Sequence, residues 1–255
     1  MPVAPLSLAG LVLALAAVVI GVSKTSVGGF ATLAVAAFAS YLPAKESTAA
    51  VLLLLIVGDL VAVARYRHDA SWGLLRRLLP SVLPGVALGA AFMSVVDDHT
   101  LRRSIGLLLT GMVLLQLLRR RPRRTDTGAS RAPDGGGPGL LAAVAAGTTA
   151  GFTTMTANAA GPVMTLYLLA SRVDKRAFVG TNAWFFMLVN LSKTPFSFAL
   201  GLFPTSTLLM TAALAPFVLA GTWLGSRLVP RLSQSAFDTT ALIASAVAAA
   251  TLLFR

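Results

Sequence analysis

The chain has 255 residues, is 56% hydrophobic and only 12% charged, and has a mean hydropathy of +0.80. A soluble domain is typically about 25% charged, so this composition excludes an ordinary water-soluble fold. No cysteine is present, which excludes disulfides, thiolate metal sites and cysteine nucleophiles. The net charge of +12 reads as membrane topology rather than nucleic-acid binding, because no segment leaves room for a folded basic module.

Uncharged runs cover 5–22, 27–44, 78–96, 135–171, 194–226 and 239–254. About 18 apolar residues suffice to cross hydrocarbon roughly 30 Å thick. Backbone groups in lipid must satisfy one another, so the spans are predicted to be helices; the short alternating segments of a barrel are missing. The opening "MPVAPLSLAG" has no basic leader, and the first run is expected to be a retained helix rather than a signal peptide.

In chain order, the first half reads as a broken apolar pair over 5–44, then helices near 47–64, 78–96 and 101–118. "GVSKTSVGGF" (21–30) interrupts the pair with one lysine, three hydroxyls and the paired glycines Gly28-Gly29. Residues 119–139, "RRRPRRTDTGASRAPDGGGPG", have no apolar face and form a polar linker. The second half repeats the layout: a broken pair over 140–171, then helices near 177–194, 206–226 and 237–254. The uncharged run 135–171 is too long for one crossing helix, since at about 1.5 Å per residue it would reach about 55 Å. It is expected to turn at "TANAAGP", where Asn158 and Gly161 tolerate unusual backbone angles and Pro162 suits a first helical turn.

The halves echo each other. Gly28-Gly29 falls near Ala160-Gly161, Asp59 near Asn190, and Gly85 and Gly89 match Gly221 and Gly225. The common order argues for an internal repeat. The predicted fold is therefore an all-α integral membrane protein of two inverted repeats, each a broken pair or hairpin plus three transmembrane helices, about ten helical segments in all. The divisions are 1–118, a cytoplasmic linker at 119–139, and 140–255. This arrangement puts Arg65, Arg67, Arg76, Arg77, Arg172, Lys175, Arg176, Arg227 and Arg231 on the linker's side, against Lys45, Arg102, Arg103 and Arg255 opposite. The positive-inside rule prefers it to parallel halves and places both termini outside.

Interrupted helices in inverted repeats place a site at their shared midplane. Helix N-termini beginning near Gly29 and Pro162 would present unpaired N–H groups to an anion. The expected substrate-binding residues are Lys24, Thr25, Ser26, Gly28, Gly29, Thr156, Asn158 and Gly161, with Asn182, Asn190 and Lys193 as a second group. Ser23 and Thr154 are further donors. Asp59 interrupts "AVLLLLIVGDLVAVA" and is assigned to proton coupling, since carboxylates within spans are costly and functional; it could pair with Lys24 or Lys193. Trp184, Phe185 and Phe186 read as lipid or packing contacts. The four glycines at 85, 89, 221 and 225 read as close helix packing. Asp97, Asp98 and His99 read as a solvated polar loop. His68 lies in a polar connection, and no metal cluster or cofactor is expected. Without a histidine base beside the many hydroxyls, no catalytic constellation emerges.

The stretches "GVSKTSVGGF…LPAKESTAAVLLLLIVGDL" and "NAAGPVMTLYLLASRVDKRAFVGTNAWFFMLVNLSKTPF" resemble the sulfite exporter TauE/SafE family, also called the 4-toluene sulfonate uptake permease family. The resemblance covers nearly the whole chain. It implies a carrier in the cell (cytoplasmic) membrane, multi-pass, for sulfite, thiosulfate, sulfonates or similar organic anions. Many members carry three consecutive glycines; here Phe30 follows Gly28-Gly29, and Ala159-Ala160-Gly161 stands at the second break. No GxxxxGK[ST] motif is present, so transport is expected to be secondary and not an enzyme reaction. The expected partners are a small anionic substrate and the lipid bilayer, with a homodimer left open and no nucleic acid. The alternatives are a passive anion channel and a membrane assembly or signalling subunit with no cargo.

Overall fold

A computed structural model describes residues 7–24, 31–120, 139–171 and 173–228. Among these residues the secondary structure is helical throughout: α1 (Leu8–Lys24), α2 (Ala31–Tyr41), α3 (Ala44–Tyr66), α4 (Trp72–Val95), α5 (Asp98–Arg120), α6 (Leu140–Ala157), α7 (Gly161–Ala170), α8 (Lys175–Ala199) and α9 (Thr205–Leu228). The all-helical membrane fold read from composition is borne out. Most of the linker and the helix expected at 237–254 lie outside the described residues.

Among the described residues four helices are long and apolar enough to cross a bilayer: Ala44–Tyr66, Trp72–Val95, Leu140–Ala157 and Thr205–Arg227. The 11 residues of α2 and the 10 of α7 are not, since ten residues reach only about 15 Å at about 1.5 Å per residue. α7 runs back along α6, and both face α5 over Ala142–Thr153 and Val163–Ala170. Asn158 makes the reversal. It holds the left-handed conformation (φ 50°, ψ 33°), and its N–H donates to the Thr154 carbonyl at 3.0 Å. Asparagine tolerates this position better than most side-chain-bearing residues.

Packing crosses between the halves. α4 packs most extensively against α6, α1 against α9, and α3 against α8. Small residues permit the first two contacts. A Cβ added to Gly151 of α6 would strike the Val82 carbonyl and the Val86 nitrogen of α4, around Gly85. A Cβ added to Gly21 of α1 would strike the Val218 carbonyl and the Thr222 nitrogen of α9, around Gly221. The spacing is the same in both, three residues before the partner glycine and one after it. Gly85 and Gly221 therefore sit in matching environments. Between helices in lipid, close van der Waals packing replaces the hydrophobic drive available in water.

The two ends of the bundle differ. At one end, the turn after α3 meets α8: the Ser71 N–H donates to Thr181 Oγ1 (2.8 Å), the Trp184 indole N–H to the Arg67 carbonyl (3.3 Å), and Trp72 and Trp184 lie 5.1 Å apart. At the opposite end, Asp98 corrects the expectation of a simple solvated loop. Its carboxylate accepts the Ala44 and Lys45 N–H groups (2.8 and 3.0 Å), capping α3, while Arg102 donates to the Leu42 carbonyl (3.1 Å). A carboxylate there satisfies open backbone donors and opposes the positive helix end. Neighbouring Asp97 caps α5; hydrogen bonds from the Thr100 hydroxyl and N–H hold its carboxyl below the usual carboxylate range.

Enlarging either crossing glycine should be severe. Gly151→Leu and Gly21→Leu are each expected to cost more than the roughly 1–3 kcal/mol of ordinary overpacking, because the obstruction is backbone. Gly111→Ala, whose Cβ would meet open space, should be neutral or stabilising by up to about 1 kcal/mol. Detergent-unfolding midpoints of the purified proteins check this ordering.

Candidate functional site

Two interrupted elements and two long helices converge on one polar network. α1 ends on Lys24, and α6 ends at Asn158. Between them cross α3, carrying Asp59, and α8, carrying Asn190 and Lys193. On α3 the stripe Thr48, Leu52, Leu55, Asp59 and Ala62 is buried at helical spacing, so a carboxylate shares a mostly apolar inward face. On α8, Phe186, Asn190 and Lys193 fall four and three residues apart and share one face.

The bonds run in a chain. Lys24 Nζ lies 2.5 Å from Asp59 Oδ1. Asn190 Nδ2 donates to Asp59 Oδ2 at 2.7 Å. Asn190 Oδ1 accepts from Lys193 Nζ at 3.1 Å. The same ammonium donates to Asn158 Oδ1 at 2.6 Å and to Thr154 Oγ1 at 3.2 Å. Asn158 Nδ2 closes the chain on the Thr48 carbonyl at 3.0 Å. Lys24 also lies 4.9 Å from the centre of the Phe186 ring, an attraction between a cation and the electron-rich ring face.

Asp59 and Asn190 are 0% exposed and Lys193 1%, so water does not compensate these charges. The network brings two lysines to one carboxylate, with Lys24 bonded to the acid and Lys193 to neutral oxygens; with all three ionised it would carry an excess of one positive charge. Buried ions demand full hydrogen bonding, and the three donors of Lys193 meet three oxygens.

Not every residue singled out from sequence joins this network. Lys24, Asp59, Asn158, Asn190 and Lys193 meet. Thr25, Ser26, Gly28 and Gly29 lie outside the described residues. The Thr156 hydroxyl donates to the Phe152 carbonyl within its own helix (2.9 Å); its neighbour Thr154 reaches the lysine instead. Asn182 lies two turns before Asn190 on α8, partly exposed and outside the network. Gly161 begins α7, and a Cβ there would meet open space among the described residues. Phe186, read as a packing residue, also faces Lys24. Thr48 was missed; only its carbonyl takes part in the chain of bonds from Lys24, which no residue-type signal reveals.

An interrupted-helix core with a buried cationic network defines an all-helical membrane protein with a polar centre. The chain belongs to the sulfite exporter TauE/SafE family: the family profile described as Sulfite exporter TauE/SafE matches residues 13–252, nearly the whole chain. It is a family of membrane transporters. No curated protein and no solved structure gives a match.

Removing the carboxylate should be costly. Asp59→Asn leaves Lys24 without a counter-charge, and breaking one side of a buried pair costs about 3–5 kcal/mol. Lys24→Met in the same chain should recover most of that loss. A double-mutant cycle of unfolding free energies checks the coupling; additive effects would show that the pair contributes nothing.

Proposed function

We propose that the protein is a secondary transporter of a small sulfur-containing or organic anion, such as sulfite, thiosulfate or a sulfonate, in the cytoplasmic membrane. The observation that carries this reading is the convergence of two lysines and a single carboxylate where two interrupted helices end, in a chain of the TauE/SafE family. A cation buried in lipid is expensive, and an arriving anion offsets its cost. In this reading Lys24 contacts the anion, the amide N–H groups of Asn158 and Asn190 not already bonded face it, and Lys193 adds its charge from behind those amides. Thr25, Ser26, Gly28, Gly29 and Gly161 offer hydroxyl and backbone donors at the two breaks, with Thr156 beside the second and Asn182 further along α8.

The proposed frame is two inverted repeats, 1–118 and 140–255, joined by a cytoplasmic linker. The reciprocal crossings around Gly85 and Gly221 support a repeat. The arginine-bearing turn after α3 packs beside the early part of α8, opposite the end where Arg102 meets the start of α3, which favours placing the first end inside.

Asp59 is the proposed proton-coupling group. Its carboxylate occupies Lys24 while ionised; protonation releases Lys24, and the substrate anion takes the place of Oδ1. Proton and anion then enter the site together, keeping its net charge constant.

The test is a thermal-shift screen of sulfite, sulfate, thiosulfate, sulfonates and carboxylates on purified protein, followed by uptake in liposomes. Lys24→Ala should weaken binding of the best anion roughly tenfold or more, the scale of one charge-assisted hydrogen bond. Unchanged affinity removes Lys24 from the site. Asp59→Asn should abolish uptake driven by a pH gradient while retaining counterflow exchange, which also reports that the variant is folded. Full pH-driven uptake in Asp59→Asn removes the coupling role.

A further inference from the structure

Lys193 differs from Lys24 in what surrounds its charge. Lys24 has a carboxylate; among the described residues the three partners of Lys193 Nζ are neutral oxygens, Thr154 Oγ1, Asn158 Oδ1 and Asn190 Oδ1, at 3.2, 2.6 and 3.1 Å. Both amides are committed at their other ends. The Asn158 amino group donates to the Thr48 carbonyl, and that of Asn190 donates to Asp59. Each amide oxygen is therefore held pointing at the ammonium. The left-handed backbone at Asn158 fixes one of them at the C-terminal end of α6, where the helix dipole is negative and favours a cation. Asp59 adds a negative charge one amide away, with Lys24 beyond it.

Converging neutral oxygens at the end of an interrupted helix are how membrane transporters hold a monovalent coupling cation. We propose that Thr154, Asn158 and Asn190 form a latent monovalent-cation site whose resident cation is the tethered ammonium of Lys193. The side chain supplies in place what other carriers take from solution. The cage needs no dissolved sodium or potassium while Lys193 is present, and cutting the side chain back leaves an opening that fits a small ammonium ion. This rests on the bonding around Lys193 and not on which anion is carried, so it stands or falls separately from the transport reading.

The test uses full-length purified wild type, Lys193→Ala and Lys193→Met in ammonium, methylammonium and choline chlorides at equal ionic strength. Lys193→Ala should unfold about 4 °C higher in ammonium or methylammonium than in choline, the shift expected of a modestly occupied site. Choline is too large for the cage and controls for ionic strength. Wild type, whose cage is filled by its own side chain, and Lys193→Met, whose stem fills the same room without charge, should not distinguish the salts. A response shared by wild type or Lys193→Met overturns the proposal. So does its absence from Lys193→Ala, including failure of that variant to fold in any of the three salts.

Discussion

The carboxylate of Asp59 is the contact on which the rest of the centre depends. It sits within the most apolar of the long spans among the described residues, in the second half of α3, yet it is bonded at both oxygens, to Lys24 and to Asn190. Through Asn190 it also orients the oxygen that receives Lys193. Four helices are thereby registered against one another by directional bonds, in a setting where apolar contact alone gives little register because lipid tails are equally apolar.

The glycine crossings set the frame within which that centre can form. Close approach of α1 to α9 and of α4 to α6 leaves α3 and α8 to cross between them. Only then do Asp59 and Asn190 come within hydrogen-bonding distance, although 131 residues separate them in the chain. Short helices complete the arrangement. An α7 of ten residues cannot cross, so the chain turns at Asn158 and delivers an amide to the interior.

The outline of this centre was legible because polar residues in apolar runs are conspicuous. Lys24, Asp59, Asn158, Asn190 and Lys193 could all be singled out, and pairing of Asp59 with Lys24 could be named among the options. Which threonine serves was not legible. Thr154 and Thr156 are chemically equivalent, and the phase of the helix, together with a back-bond to Phe152, decides between them. The role of Thr48 is carried by its carbonyl, which every residue has. Asp98 looked like a loop residue because the helix it caps begins more than 50 positions earlier. Phe186 resembled its aromatic neighbours until Lys24 was seen beside its ring.

The bond between Asp59 and Asn190 has one more consequence. These residues hold the same place in their own helices, each fifteen residues past the first residue. Two identical carboxylates in such contact could not both stay ionised, and two identical amides would give Lys24 no counter-ion. Acid in one copy and amide in the other resolves both problems, at the expense of equivalence. One helix supplies the charge and the other the amide that holds it, so the two cannot exchange places at this contact.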